Sequence, residues 1–355
     1  MKLLRHVEML RSAWKRPIAL PPALAARRGK LVETRTGPQL ARLCRRAADK
    51  AGPGVADDDR ALLDCWLRLG PEFAVARRVL GDAVAAGAPA PRRLLAVGGA
   101  AASVAAARDL FPALAPDRTV AVEPSAAARD AAHFLLGDRG VEWRASLGAV
   151  AVEVPSPERS FDVVVAARSL GAAADVDLHL AILWGCVAEG GVLALVEDGA
   201  DAALVAAARR RLFAAPGPTS LGPCPHDGPD CDHAPPVFSQ AAAVPAEGPP
   251  RRAARGDDVG AVLRKNGGST VEKFAYLALR RGARGDARAG EKRTARVLRT
   301  PLKNRGNVVL DVCTSDGARD TLTLSRALLK RDGTSTFKDA RKLTAGSLLR
   351  YECGG

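Results

Sequence analysis

Two thiols and two imidazoles fall within ten residues in Cys224-Pro225-His226-Asp227-Gly228-Pro229-Asp230-Cys231-Asp232-His233. Thiolate and imidazole are soft metal donors, and the prolines stiffen the loop, lowering the cost of ordering it. Two local cysteines rarely close such a site, so a distant ligand is required. Cys313, ending the run Val308-Val309-Leu310-Asp311-Val312-Cys313, is the best candidate. A different chemistry is suggested by Leu94-Leu95-Ala96-Val97-Gly98-Gly99-Ala100-Ala101-Ala102. Glycines after a first strand let the backbone approach a nucleotide and aim the amides of the following helix at it. About 25 residues on, Val120-Ala121-Val122-Glu123 ends in an acid where a carboxylate can hold ribose hydroxyls. Asp162, in Phe161-Asp162-Val163-Val164-Val165, is a further cofactor candidate. Gly98 and Gly99 equally suit a plain strand-to-helix corner.

These residues need elements to carry them. Apolar residues at helical spacing between Pro38 and Ala86 predict a helical cap, broken near Gly52 to Gly54 and at Gly70-Pro71. Leu94–Val97, Thr119–Val122, Phe161–Ala166 and Gly191–Val196 read as buried strands. Ser103–Leu110, Ser125–Leu136, Leu178–Ala188 and Ala202–Phe213 read as the helices between them. Strand–helix alternation at this spacing predicts a parallel sheet covered on both faces. The alternation stops near Pro216. Beyond a Pro/Arg-rich stretch from Pro245 to Arg255, the runs Phe274–Leu279, Val308–Val312 and Thr321–Leu324 predict a small β-rich appendage. The resulting division is a basic N-terminal arm and helical cap (1–90), a central domain (91–215), a Cys/His segment with a Pro/Arg-rich loop (216–258), and a basic β-rich region (259–355).

The chain has 355 residues and a formal net charge of +14, which favours a polyanionic partner and above all nucleic acid. Seven cysteines, odd in number and scattered, do not form the dense disulfide framework of a small secreted domain. No run of about 18 apolar residues is uninterrupted, which predicts a soluble protein with no membrane partner. The first 46 residues carry many Arg and Lys against Glu8 and Glu33 only. That composition suits a targeting segment and a basic helical arm on RNA alike.

In order and spacing, the central segments resemble a class I (Rossmann-like) methyltransferase fold. Phe161–Val165 is similar to its fourth strand and Gly190-Gly191-Val192-Leu193 to the turn into its fifth. The expected architecture is therefore α/β: that fold with a helical N-terminal cap and a small β-rich, basic C-terminal appendage. Such proteins use S-adenosylmethionine, for which Gly98, Gly99, Glu123 and Asp162 are the candidate contacts. Where typical members carry an acid and two further glycines, this chain has Ala96, Ala100 and Ala102. Each added methyl crowds the backbone approach, and the missing carboxylate removes an anchor. Ala166-Ala167-Arg168-Ser169, after the fourth strand, offers no clamp for a base amine, and Cys186 reads as a core residue. No catalytic residue is identified.

Several separate blocks resemble the methyltransferase-like proteins of the mitochondrial small ribosomal subunit, which have bacterial relatives. They are Leu67-Arg68-Leu69-Gly70-Pro71-Glu72-Phe73-Ala74, Leu195-Val196-Glu197-Asp198-Gly199, Cys224-Pro225-His226-Asp227-Gly228, Val237-Phe238-Ser239-Gln240, Glu272–Leu277, Pro301–Cys313 and Ala340-Arg341-Lys342. The resemblance covers roughly Asp64 to Lys342. It implies a place in the mitochondrial matrix with small-subunit rRNA and mitochondrial ribosomal proteins as partners. It also implies an iron–sulfur cluster on four cysteines, of which Cys224, Cys231 and Cys313 match three. Pro236 stands where the fourth is expected. His233 is then the substitute ligand, or zinc sits among Cys224, His226, Cys231 and His233.

Three functional readings follow. The first is an rRNA-binding component or assembly factor on an inactive methyltransferase scaffold, with Arg293, Arg296, Arg299, Lys303, Arg305, Arg341 and Lys342 contacting phosphates. The alternative is an active S-adenosylmethionine-dependent rRNA methyltransferase, because Gly98, Glu123 and Asp162 persist. A metal or redox sensor gating ribosome assembly is a third possibility, which depends on the cysteine site.

Overall fold

The apolar runs assemble as a parallel sheet. The computed structural model describes residues 4–11, 17–33, 39, 42–43, 56–88, 90–111, 118–137, 140–153, 160–214, 217–229, 237–243, 269–282, 293–332 and 337–353. In chain order come β1 (Leu4–Arg11), α1 (Pro22–Glu33), α2 (Asp57–Leu67), α3 (Leu69–Ala85), β2 (Arg93–Val97), α4 (Ala100–Leu110), β3 (Arg118–Val122), α5 (Ala126–Leu136), β4 (Val141–Arg144), α6 (Leu147–Glu153), β5 (Phe161–Ala167), α7 (Val176–Gly185), β6 (Val187–Asp198) and α8 (Ala202–Phe213). There follow β7 (Pro218–Gly222), β8 (Phe238–Ala243), β9 (Ser269–Arg281), β10 (Arg293–Val297), β11 (Leu302–Lys303), β12 (Asn307–Thr314), β13 (Arg319–Ser325), α9 (Arg326–Asp332), α10 (Phe337–Ala340) and β14 (Leu348–Cys353).

The larger sheet has the order β4-β3-β2-β5-β6-β9-β7, parallel from β4 through β6, with β9 antiparallel between β6 and β7. This strand order, with its single reversed strand next to the edge, is that of a class I methyltransferase fold. Alternation along β2 shows why both faces are covered. Leu94 and Ala96 enter the core shared with α3, α4 and α5, while Leu95 and Val97 enter the core shared with α6, α7 and α8. The smaller sheet runs β1-β14-β10-β12-β11, with β13 on β12, and encloses a third core around Val308, Leu310, Leu322 and Tyr351.

Three expectations change. The division after residue 215 cuts through the larger sheet: β7, β8 and β9 all lie beyond it, and β9 pairs with β6 from Val192↔Arg280 to Asp198↔Phe274. Phe274–Leu279 is therefore an interior strand of that sheet, and not part of the appendage. At the N-terminus, Leu4–Arg11 is a strand antiparallel to β14, not part of a basic helical arm. In the cap the helix break falls at Arg68, the junction of α2 and α3, so Gly70-Pro71 lies inside the first turn of α3. Proline is tolerated there because a first-turn N–H has no intrahelical acceptor. Among the described residues no helix is long and apolar enough to cross a membrane.

Candidate functional site

The strand order of the larger sheet reverses between β2 and β3 on one side and β5 on the other, which opens a crevice at the carboxyl ends of the strands. Gly98 and Gly99 form the corner between β2 and α4, both with positive φ. A Cβ on Gly98 would stand 2.2 Å from the carbonyl oxygen of Ala167, so the glycine is required by close approach to the end of β5. Glu123 ends β3 beside them; one carboxylate oxygen accepts the Ser125 N–H at 3.1 Å. Burial, with Asp64 and Asp57 nearby, raises its pKa above the ordinary carboxylate value. Together with Trp143, Asp64, Cys65 and Ala100–Ala102 these residues line a cavity of about 290 Å³. Burial and the neighbouring carboxylates push the Cys65 thiol up to about 12, so it is no nucleophile near neutral pH.

Asp162 is not part of this crevice. It sits near the start of β5, at the opposite end of the sheet, where its Oδ2 accepts the backbone N–H groups of Arg92 and Arg93 at 2.8 and 2.9 Å and its Oδ1 meets the Arg93 guanidinium. Its carboxylate pins the entry of β2, which corrects its assignment as a cofactor contact.

On the other flank of the crevice stands Arg168, directly after β5 and the one described non-glycine residue with positive φ. Its guanidinium bonds to Glu72 of α3, Asp198 at the end of β6 and Glu272 of β9. Desolvation still prevails at Glu72 and Glu272, whose carboxyls lie above the usual range in spite of Arg168. Glu72 also faces the corner: a Cβ on Gly99 would meet its Oε2 at 3.2 Å. A protein carboxylate thus lies against the N-terminus of α4, where the fold ordinarily receives an anionic group of its ligand. Sequence reasoning missed this cluster, whose members come from four separate elements. The Glu197-Asp198-Gly199 block takes structural meaning here. Glu197 is buried and accepts the Leu170 N–H at 2.9 Å, and a Cβ on Gly199 would meet Val237 at 2.8 Å.

Cys224 and Cys313 are both buried. The loop bearing Cys224 is held on α8 by Arg209, whose guanidinium donates to the carbonyls of His226 and Gly228, each at 2.7 Å. His226 lies beside the β12–β13 turn, for a Cβ on Gly317 would meet its ring at 3.5 Å. The backbone N–H of Gly228 donates to its Nδ1 at 3.2 Å. Cys231, His233 and Pro236 lie outside the described residues. Among the described residues no three His, Cys, Asp or Glu side chains come together as a metal-holding group.

Arg296 pairs with Cys313 across β10 and β12, and directly opposed residues leave a sheet on the same face. At 3 % exposure it cannot meet an RNA phosphate, which corrects its assignment as an RNA contact. Its Nη1 donates to the Gly346 carbonyl at 2.7 Å and lies 3.8 Å from Asp82 of α3, while its Nε and Nη2 are buried without an acceptor among the described residues. Asp82 also accepts the Tyr276 hydroxyl at 2.9 Å and faces Arg78 at 3.4 Å. This buried cluster joins the cap, the larger sheet and the smaller sheet. Among the remaining basic candidates, Arg293 lies opposite Tyr351 of β14, and Arg299 is exposed but bonded to Asp311 at 2.7 Å. Lys303, Arg305, Arg341 and Lys342 are exposed, and the structure brings them together: Arg341 donates to the Asn304 carbonyl at 3.0 Å.

The family model described as mitochondrial small ribosomal subunit Rsm22 matches residues 62–350. No curated protein matches the chain. Similar solved structures include the YcgJ protein from Bacillus subtilis, at 14% identity over 59% of this chain and 99% of that one with a TM-score of 0.34. Another is the N-methyltransferase NodS from Bradyrhizobium japonicum, in complex with S-adenosyl-L-homocysteine, at 16% identity over 67% and 96% with a TM-score of 0.36. A third is the plantazolicin methyltransferase BpumL, at 9% identity over 73% and 99% with a TM-score of 0.39.

Proposed function

Because the chain belongs to the Rsm22 family of the mitochondrial small ribosomal subunit, we propose that it is an rRNA-binding component or assembly factor of that subunit, acting in the mitochondrial matrix on an inactive methyltransferase scaffold. The observation that carries the inactive half of this reading is the Glu72–Arg168 pair. It takes the amino-acid end of the methyl-donor site, against Gly99, and the ion cluster around Arg168 takes the acceptor side after β5. The cavity beside Glu123 suits a ribose, but the residues do not fit S-adenosylmethionine as a whole, and no methyl-transfer step is assigned. Isothermal titration of the purified protein with S-adenosylmethionine should give no binding heat; micromolar affinity would favour the active rRNA methyltransferase instead. Co-sedimentation with small subunits through a high-salt gradient is expected for a resident component; loss at high salt with retention at low salt would favour a transient assembly factor, and absence from small subunits at low salt as well would overturn the ribosomal assignment.

Domain limits in this reading are a helical cap within residues 17–88, a methyltransferase-like body within 90–282, and a basic sheet within 293–353 that recruits Leu4–Arg11. Cys224, Cys231, His233 and Cys313 are the proposed ligands of an iron–sulfur cluster or a zinc ion. Two buried thiols, with the donors of Arg296 on the same sheet face as Cys313, suit an anionic sulfur-rich group. Bound there, it would supply a covalent tie between the α8 loop and the smaller sheet. Metal analysis and absorption spectra after anaerobic purification should show stoichiometric iron with sulfide, or stoichiometric zinc; absence of both would remove the site.

A further inference from the structure

The cations of the smaller sheet divide into two groups. Toward the far end of β12, Asp311 neutralises Arg299 at 2.7 Å and Arg319 at 2.9 Å. Around the turn from β11 to β12 the balance is different. Lys303, Arg305, Arg326 and Lys330 are exposed and have no carboxylate partner among the described residues; the nearby acid Asp339 is bonded to Lys342 at 2.7 Å. These groups share one end of the sheet. The Arg326 backbone N–H donates to the Gly306 carbonyl at 3.0 Å, and Arg341 donates to the Asn304 carbonyl. Lys330, four residues after Arg326 on α9, lies on the same helix face.

We infer that this end, formed by Lys303, Arg305, Arg326, Lys330, Arg341 and Lys342, is a binding surface for the sugar–phosphate backbone of RNA. The inference rests on the proposed rRNA-binding role and names where on the chain it resides. Two guanidiniums are held ready: those of Arg326 and Arg341 lie 5.1 and 6.0 Å from the centroid of the Phe337 ring. A positioned planar fork loses less entropy on meeting a phosphate than a free side chain does. The same contacts commit the Phe337 ring to the arginines rather than to a stacked base, so the surface reads phosphate and not sequence.

The test uses the full chain with three probes: a small-subunit rRNA transcript, poly(U), and phosphatidylserine-containing vesicles. The variant K303A/R305A/K330A removes cations without protein partners, so its melting temperature should equal that of the parent; K30A/R210A serves as a control for loss of charge elsewhere. The parent should bind both RNAs with affinity falling steeply in salt. The triple variant should lower the slope of log K against log salt by about 2 to 3, and weaken binding on the order of 100-fold at physiological ionic strength. The control should change little. If the parent binds RNA and the triple variant binds as well as the parent, this placement is wrong while the rRNA-binding reading stands. If the parent binds neither RNA, both fail. Should vesicle binding alone depend on these cations, the surface belongs to membranes and the inference is overturned.

Discussion

An Asp82→Leu variant is expected to lose about 3–5 kcal/mol of folding stability. Asp82 is 2 % exposed and is the anion facing Arg78, Arg296 and the Tyr276 hydroxyl, all of them buried. Removing the carboxylate takes its counter-charge from the desolvated guanidiniums of Arg78 and Arg296, which costs far more than the net worth of the original pairs. The loss should concentrate where the cluster acts, at the junction of α3, β9 and β10. Urea denaturation followed by circular dichroism gives the magnitude, and amide hydrogen exchange should rise most in α3, β9 and β10. Arg296→Met alone should also destabilise. The double variant D82L/R296M should cost clearly less than the sum, because each change removes part of what the other strands. Additive effects, or a loss under about 1 kcal/mol for Asp82→Leu, would show that the cluster does not join the sheets.

The second large effect is expected at Arg168. Arg168→Met should cost about 2–4 kcal/mol near neutral pH, because Glu72, Glu272 and Asp198 lose their common cation. Part of the loss is returned by relief of the positive φ only in Arg168→Gly, which should therefore be the milder variant. The pH dependence follows from the carboxyls. Burial holds the carboxyls of Glu72 and Glu272 above the ordinary carboxylate range even with Arg168 present, and without it they rise further. In the folded variant they hold protons that the unfolded chain releases, so its stability falls as pH rises through that interval. The gap between parent and Arg168→Met should accordingly narrow as pH is lowered from about 7 to about 5. Thermal melts across that range check the sign; a gap that widens on acidification would mean that these carboxyls are not the groups left stranded.

How far this architecture could be read in advance depends on locality. The strands β2, β3, β5 and β6 are legible because parallel strands buried on both faces are nearly continuous apolar runs. Ala202–Phe213 is likewise legible from its helix-forming composition and emerges with those same bounds. β7 is hidden because Pro218-Thr219-Ser220-Leu221-Gly222 contains one large apolar residue, although the whole strand is buried. β9 is visible as a strand but not as an insertion between β6 and β7, since no local feature records which neighbours a strand will have. For the site, Gly98, Gly99 and Glu123 follow from order and spacing, and the structure places all three on one cavity. Asp162 shows the limit of that method: its place within a strand resembling the fold's fourth says nothing about which end of the sheet it serves. Arg296 reads as one more member of a basic tract, yet Ala295 and Val297 pack into the small-sheet core and the alternating Arg296 faces the larger domain. The Arg168 cluster has no local signature at all, because Glu72, Arg168, Asp198 and Glu272 meet only after the sheet has formed.

The pairing of β1 with β14 sets an order of assembly. Leu4 stands opposite Cys353, so closing this ladder joins nearly opposite ends of the chain and carries a large loop-closure entropy unless the intervening body is already compact. The parallel core, made of neighbouring strands, can condense earlier, with the smaller sheet completed afterwards. Until β1 arrives, β14 has an open row of backbone donors and acceptors on that side, an edge prone to pairing with other chains. β1 also packs against α9, so closing the ladder seats the helix that carries Arg326 and Lys330.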